Sequence, residues 1–278
     1  DFGGYHAVPI LAADGTPSRE LDKSPLENGV WTHEILTGRG QKAEVRLTSP
    51  SDAAGTGLQI TRNVVLYAGS TKVRISERFE NVGEEPVSFA IKHITQVPAS
   101  LSNEQKYSRE AKIYFPLNPD SRHEGGYVSL AAGGGDQFQA IEDGTLMEVS
   151  AAGAQGAIGS DSVAGWAAYM DAKNKYAFVS RFSVNRIEDY PEQNSSVTVR
   201  TSDARSFMAL GVSSAFTTIS ARDTADSYVE WYATRVEPPV RDVTEVAAIH
   251  QRPEITKTAQ EFRIKASLGV FATGEIHA

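Results

Sequence analysis

Three early segments constrain this chain more than any other feature. Residues 59–66 (QITRNVVL), 72–79 (KVRISERF) and 87–97 (VSFAIKHITQV) are short, rich in β-branched side chains and separated by turn-forming residues. A helix repeats its apolar face every three or four residues, whereas a strand repeats it every two. In 72–79 the alternation is strict: Val73, Ile75 and Phe79 fall on one face, with Arg74, Ser76 and Arg78 on the other. Tyr67-Ala68-Gly69-Ser70 reads as a hairpin turn, and Asn81 to Pro86 as the next turn, punctuated by Gly83 and Pro86. The three segments predict an antiparallel meander.

The same style continues downstream. Residues 113–115, 127–130, 146–150, 166–170, 177–184, 196–201, 207–212, 215–220, 227–235 and 262–271 all read as short strands. The one helix-like stretch, 151–157, is alanine-rich but interrupted by glycine. So many strands at fairly regular spacing predict an all-β fold, a large sandwich. All-β sandwiches commonly reach about 250 residues as one unit, so the 278 residues are expected to form a single domain over 1–278.

Composition narrows the partners. The sequence carries 27 Lys and Arg against 35 Asp and Glu, a formal charge of −8, and no dense basic run. That disfavours nucleic acid and anionic membrane surfaces. No apolar run approaches the ~18 residues of a membrane span. With no cysteine, neither a disulfide framework nor a thiolate metal site can form. No cofactor or metal is expected. The absence of cysteine fits cytosol, periplasm or the outside of the cell, the last two being favoured.

Candidate chemistry is scattered. Alternation puts Phe89, Ile91 and His93 on one face of their strand. An imidazole there reads as a general acid or base, or as an ordinary core histidine. Gln96 offers donor and acceptor to a sugar hydroxyl, or is an exposed strand amide. Arg122 and His123, close to Tyr127, could grip or act on an acidic sugar, or form a solvated turn. His6 follows Gly3-Gly4-Tyr5, whose paired glycines let the backbone approach a ligand, or is part of an ordinary turn near the start. Tyr190, before Pro191, could stack on a sugar face or cap a turn. Glu230 stands between Tyr228 and Tyr232 by alternation, which reads as a base or binding carboxylate, or as an outward charge. Phosphate-loop, zinc-pair and nucleophile-elbow motifs are missing from the sequence.

Several segments occur in a distinctive order: Asp1-Phe2-Gly3-Gly4, Leu47-Thr48-Ser49-Pro50, 57–62 (GLQITR), 79–86 (FENVGEEP) and Ile94-Thr95-Gln96-Val97. Pro116-Leu117-Asn118-Pro119, Ser121-Arg122, Gly126-Tyr127, Tyr190-Pro191, Glu230-Trp231 and Gly269-Val270-Phe271 with Gly274 follow. This ordered set resembles a little-characterised bacterial domain family of the galactose-mutarotase-like superfamily. The resemblance implies a supersandwich of two large curved antiparallel sheets with a saccharide site in a concave sheet. It implies a general acid at His93, whose strand is similar to the one carrying the mutarotase histidine. Thr95 replaces the tyrosine of that pattern. It also places the glutamate positions of the base strand at Ala209 and Gly211, so the mutarotase base is absent unless Glu230 is recruited. Family members begin with further strands, so the chain is expected to lack its first ones and to expose sheet edges that could self-associate. The expected ligand is a saccharide, lined by Arg62, Gln96, Arg122, His93 and Glu230. An active epimerase, an acidic-polymer lyase and a structural assembly protein are the alternatives.

Overall fold

The computed structural model describes residues 4–12, 24–101, 107–185, 189–203, 207–257 and 261–274. The start of the Asp1-Phe2-Gly3-Gly4 segment lies outside the described residues. Among the described residues all strand pairings are antiparallel. One sheet runs in the order β1 (Tyr5–Leu11), β6 (Val87–Pro98), β15 (Phe207–Ser213), β14 (Val197–Thr201), β11 (Gly156–Ser160) and β8 (Val128–Ala131), with β16 (Thr217–Ile219) also on β6. A ten-stranded sheet runs β2 (Thr32–Thr37), β3 (Lys42–Thr48), β4 (Leu58–Tyr67), β5 (Val73–Asn81), β17 (Thr224–Arg235), β13 (Tyr176–Phe182), β12 (Trp166–Asp171), β7 (Ala111–Pro116), β10 (Leu146–Ser150) and β9 (Phe138–Ile141). A third sheet, β18 (Asp242–Val243), β19 (Ala247–Lys257) and β20 (Phe262–Val270), stands apart.

The two large sheets pack face to face. Ile75, Val229, Ile113 and Phe115 of the ten-stranded sheet meet Val97, Val199, Met208, Leu210 and Val212 of the other in one apolar cluster. Phe79 and Ile60 pack with Phe89, Ile91 and Ile219 in a second. Burying each such side chain contributes about 1.5–3 kcal/mol. The third sheet and the segments flanking it cover part of the outer face of the ten-stranded sheet: Val236, Val240, Val243, Ala248 and Phe271 pack on Tyr114, Trp166, Met170, Val179 and Tyr232. Another part, over β3, β4, β5 and β17, stays polar.

One sequence expectation is corrected here. Residues 59–66 and 72–79 do pair as β4 and β5, but the third segment does not continue the meander. β6 crosses to the other sheet, between β1 and β15. The turn before it is therefore a corner between sheets. Asn81, fully buried, staples that corner: its Nδ2 donates to the carbonyls of Glu85 at 2.8 Å and Ile219 at 3.2 Å, and its Oδ1 accepts from Gly83 N–H at 3.0 Å. β6 is buried on both faces from Phe89 to His93. That burial suits a central sandwich strand better than a one-sided meander strand.

Candidate functional site

The register of three neighbouring strands builds one charged row on the exposed part of the ten-stranded sheet. Glu230 of β17 pairs with Arg74 of β5 on one side and Arg181 of β13 on the other. Directly paired residues of antiparallel strands share a face with Cβ atoms about 5 Å apart. Arg74, Glu230 and Arg181 therefore stand in line across β5, β17 and β13. Alternation along β17 adds Tyr228 and Tyr232 to that face, and sends Ser227, Val229 and Trp231 to the sandwich interior.

The contacts follow from this row. Glu230 Oε1 accepts from Lys72 Nζ at 2.7 Å and Arg74 Nη1 at 3.1 Å. Its Oε2 accepts from the Tyr232 hydroxyl at 2.9 Å. Arg181 stands 3.7 Å from Glu230 and 4.0 Å from Glu245, farther than hydrogen bonds. Arg74 lies over the Tyr228 ring, 4.1 Å from its centroid. Burial alone would raise the Glu230 pKa, but the donors Lys72 and Tyr232 and the charge of Arg74 outweigh it and hold it below the usual carboxylate value. Glu230 is a fixed anion with both oxygens engaged, which makes it a weak base and a firm anchor.

These residues line a hollow of about 480 Å³, together with Phe182, Val246 and Phe271. Small-molecule sites commonly span about 300–1,000 Å³. A second hollow of about 800 Å³ shares Arg74 and Tyr228 and continues over Arg46, Thr61, Asn63, Arg78 and Asp226. Together they form a polar trough rich in donors.

His93 lies elsewhere. Its ring, 2% exposed, points between the two large sheets. Nδ1 is 2.7 Å from the Tyr5 hydroxyl and Nε2 is 2.8 Å from Ser227 Oγ. Tyr5 donates to Glu77 Oε1 at 3.1 Å, and Arg62 Nε donates to the same oxygen at 2.6 Å. With its hydroxyl hydrogen directed at Glu77 Oε1, Tyr5 accepts from the imidazole, so Nδ1 carries hydrogen and Nε2 accepts from Ser227. Burial, then the charge of Arg62, lowers the His93 pKa to about 3, and the ring is neutral at pH 7. The structure thus brings His93 and Arg62 together, but inside the sandwich, and Glu230 faces the opposite side of β17 from Ser227.

The remaining candidates do not converge with either group. Gln96 falls on the outer face of the seven-stranded sheet, paired with Ala209, and His6 is exposed on the same face, paired with Ile94. Arg122 forms an exposed pair with Asp189 at 2.9 Å. His123 Nε2 is buried without a partner. Tyr190 is buried, its hydroxyl accepting from Asn185 N–H at 2.7 Å and donating to the Asn185 carbonyl at 3.1 Å. The Ala209 and Gly211 positions share a face with Gln96 and Ile94, whereas Val212 shares one with His93. A base at either position would therefore stand across the sheet from the imidazole. At Gly211 it would also meet Lys92, whose Cε lies 2.5 Å from where a Cβ would be.

Sequence reasoning found Glu230 and its tyrosines but missed Lys72, Arg74 and Arg181. Arg74 was legible as an outward residue. Its neighbourhood with Glu230, 156 residues away, depends on which strands pair, and no local signal carries that.

Comparison with known proteins bears on the fold. No protein-family model matches this sequence. A search of curated proteins finds no match. Among solved structures, a TPR-domain containing protein from Parabacteroides distasonis is similar over 82% of this chain and 38% of its own, with 8% identity and a TM-score of 0.53. A "putative aldose 1-epimerase" from Klebsiella pneumoniae is similar over 82% of this chain and 61% of its own, with 11% identity and a TM-score of 0.50. A galactose mutarotase-like protein from Lactobacillus casei matches over 74% of both chains, with 10% identity and a TM-score of 0.48. At such identities the likeness is one of fold. With its two large antiparallel sheets packed face to face, the chain is a large antiparallel β-sandwich similar in fold to the Klebsiella pneumoniae protein.

Proposed function

We propose that this protein binds a saccharide in the trough on the outer face of its ten-stranded sheet, with Glu230, Lys72, Arg74 and Arg181 as polar contacts and Tyr228 as the aromatic wall. The observation that carries the reading is the Arg74–Glu230–Arg181 row, which a shared register sets in a 480 Å³ hollow beside Tyr228. Polyols need donors and acceptors fixed at several points plus an apolar surface, and this trough offers both. The sugar-related fold supports it by analogy.

The reading favours binding over epimerisation. His93 is neutral, buried and engaged at both ring nitrogens, and Glu230 has both oxygens occupied. Polarimetry on freshly dissolved glucose and galactose is expected to show no rate gain, and acceleration abolished by His93→Ala would reverse that preference. Isothermal titration against neutral and uronic mono- and oligosaccharides tests the binding itself. Heat from at least one sugar, lost in Tyr228→Ala, is expected. Silence across the panel would remove the proposal.

A second reading, self-association, has its own observation. Beyond Gln251 the β19–β20 ribbon is exposed, and Ile255 and Ile264, 68% and 50% exposed, face each other across it. Exposed strands with apolar side chains recruit partners. Light scattering of the wild type and of Ile255→Lys tests this: a dimer that dissociates supports it, and a monomer at every concentration opposes it.

A further inference from the structure

The charge arrangement around Glu230 has a direction. Three cations, Lys72, Arg74 and Arg181, face the hollow, against Glu230 within it and Glu245, 86% exposed, at its rim. The guanidinium groups are under-used. Arg181 makes two long ion-pair contacts, at 3.7 and 4.0 Å, and one side-chain hydrogen bond, to the Tyr232 hydroxyl, which leaves most of its five donors to spare. Arg74 spends one nitrogen on Glu230 at 3.1 Å and another on Ser76 at 3.4 Å. A guanidinium presents five donors in a planar fork that fits a carboxylate. Lys72 Nζ at 2.7 Å and the Tyr232 hydroxyl at 2.9 Å already engage both Glu230 oxygens, so holding Glu230 does not require two guanidiniums.

Resting on the saccharide reading, we infer that the preferred ligand is an acidic sugar whose carboxylate is taken by the Arg74 and Arg181 guanidiniums, with Glu230 between them as the anion that anchors both. A neutral sugar would leave those donors to water. A uronate would satisfy them with charge-assisted bonds, and the open side of the trough towards Arg46 and Asn63 would take the next residue of an oligosaccharide. Because the whole chain is negative, attraction is local to the trough and weakens as salt screens it.

The test is calorimetric titration of the full chain with trigalacturonate and with galactotriose, at low and high salt. Trigalacturonate is expected to bind about tenfold tighter at low salt, roughly the worth of one charge-assisted contact, with the margin shrinking as salt rises. Arg181→Ala is expected to bring the two ligands within threefold of each other while thermal unfolding stays cooperative. Arg181→Lys, which keeps the charge and loses the fork, is expected to fall between. Equal or tighter binding of galactotriose by the wild type would overturn the acidic preference and leave saccharide binding standing. So would an undiminished margin in both Arg181 variants. Binding of neither trisaccharide would count against the saccharide reading as well.

Discussion

Glu230 and His93 are both buried ionisable groups, and their surroundings push them to opposite outcomes. Glu230 is ringed by Lys72, Arg74 and Tyr232 and stays charged. His93 has only hydroxyl partners and the Arg62 charge nearby, and stays neutral. Each state carries a prediction. Replacing Glu230 by Gln leaves Lys72, Arg74 and Arg181 without their shared anion, and urea unfolding is expected to show a loss of about 1–3 kcal/mol. An unchanged midpoint would mean the cations find other partners freely. The His93 prediction concerns pH. Its folded pKa, about 3, lies below the ordinary 6.5, so on acidification the unfolded chain takes up the proton first. Its contribution is therefore complete above pH 6.5 and drains away between 6.5 and 3. Glu77 acts with the opposite sign, because burial raises its pKa above the ordinary carboxylate value despite Arg62. Urea midpoints at pH 7 and pH 5 are expected to drop further in the wild type than in His93→Gln. Equal drops would show that His93 does not titrate as described.

Strand β17 shows how one element serves two sites: Ser227 and Trp231 face the buried His93 network, and Tyr228, Glu230 and Tyr232 face the trough. This two-sidedness was legible, since alternation is written in the residues themselves. So was the strand character of β4, β5, β13 and β15. The path of β6 was not. Its alternation gives its faces correctly, but which sheet it joins depends on the corner held by Asn81, which reads like any other turn. β1, β2, β3, β9, β11, β18 and β19 also escaped reading, and Gly156–Ser160 shows why: it is small-residue sequence made into a buried strand by its neighbours β14 and β8. The outer face of the seven-stranded sheet holds another feature with no local signal. Glu192, Gln193 and Asn194 all adopt positive φ, at 50°, 58° and 63°, in a turn that aims Glu192 at Lys92 and Arg200. Left-handed backbone costs a non-glycine residue about 1–2 kcal/mol. Gln193 is exposed, so Gln193→Gly is expected to raise the melting temperature, and a fall would mean its side chain contributes more than its backbone costs. Gly211→Ala should act the other way. A Cβ there would sit 2.4 Å from Thr198 Oγ1 and 2.5 Å from Lys92 Cε, and the overlap is expected to cost about 1–3 kcal/mol in chemical denaturation.

At the scale of the whole molecule, the three sheets divide the labour. The two large ones bury the core between them, and the small third sheet with its flanking segments covers part of the outer face of the ten-stranded sheet. Where that cover stops, the trough begins, walled by Val246 and Phe271 of the covering segment. The fold class was legible because strand periodicity repeats along nearly the whole sequence. The candidate site was not, because the two most chemically suggestive residues of the sequence, His93 of β6 and Glu230 of β17, face opposite sides of the ten-stranded sheet. The most direct measurement is a crystal structure of the protein soaked with an oligosaccharide. Sugar density against Tyr228, Arg74 and Arg181 is the predicted result. Sugar bound instead over Gln96 and His6, on the outer face of the seven-stranded sheet, would contradict it.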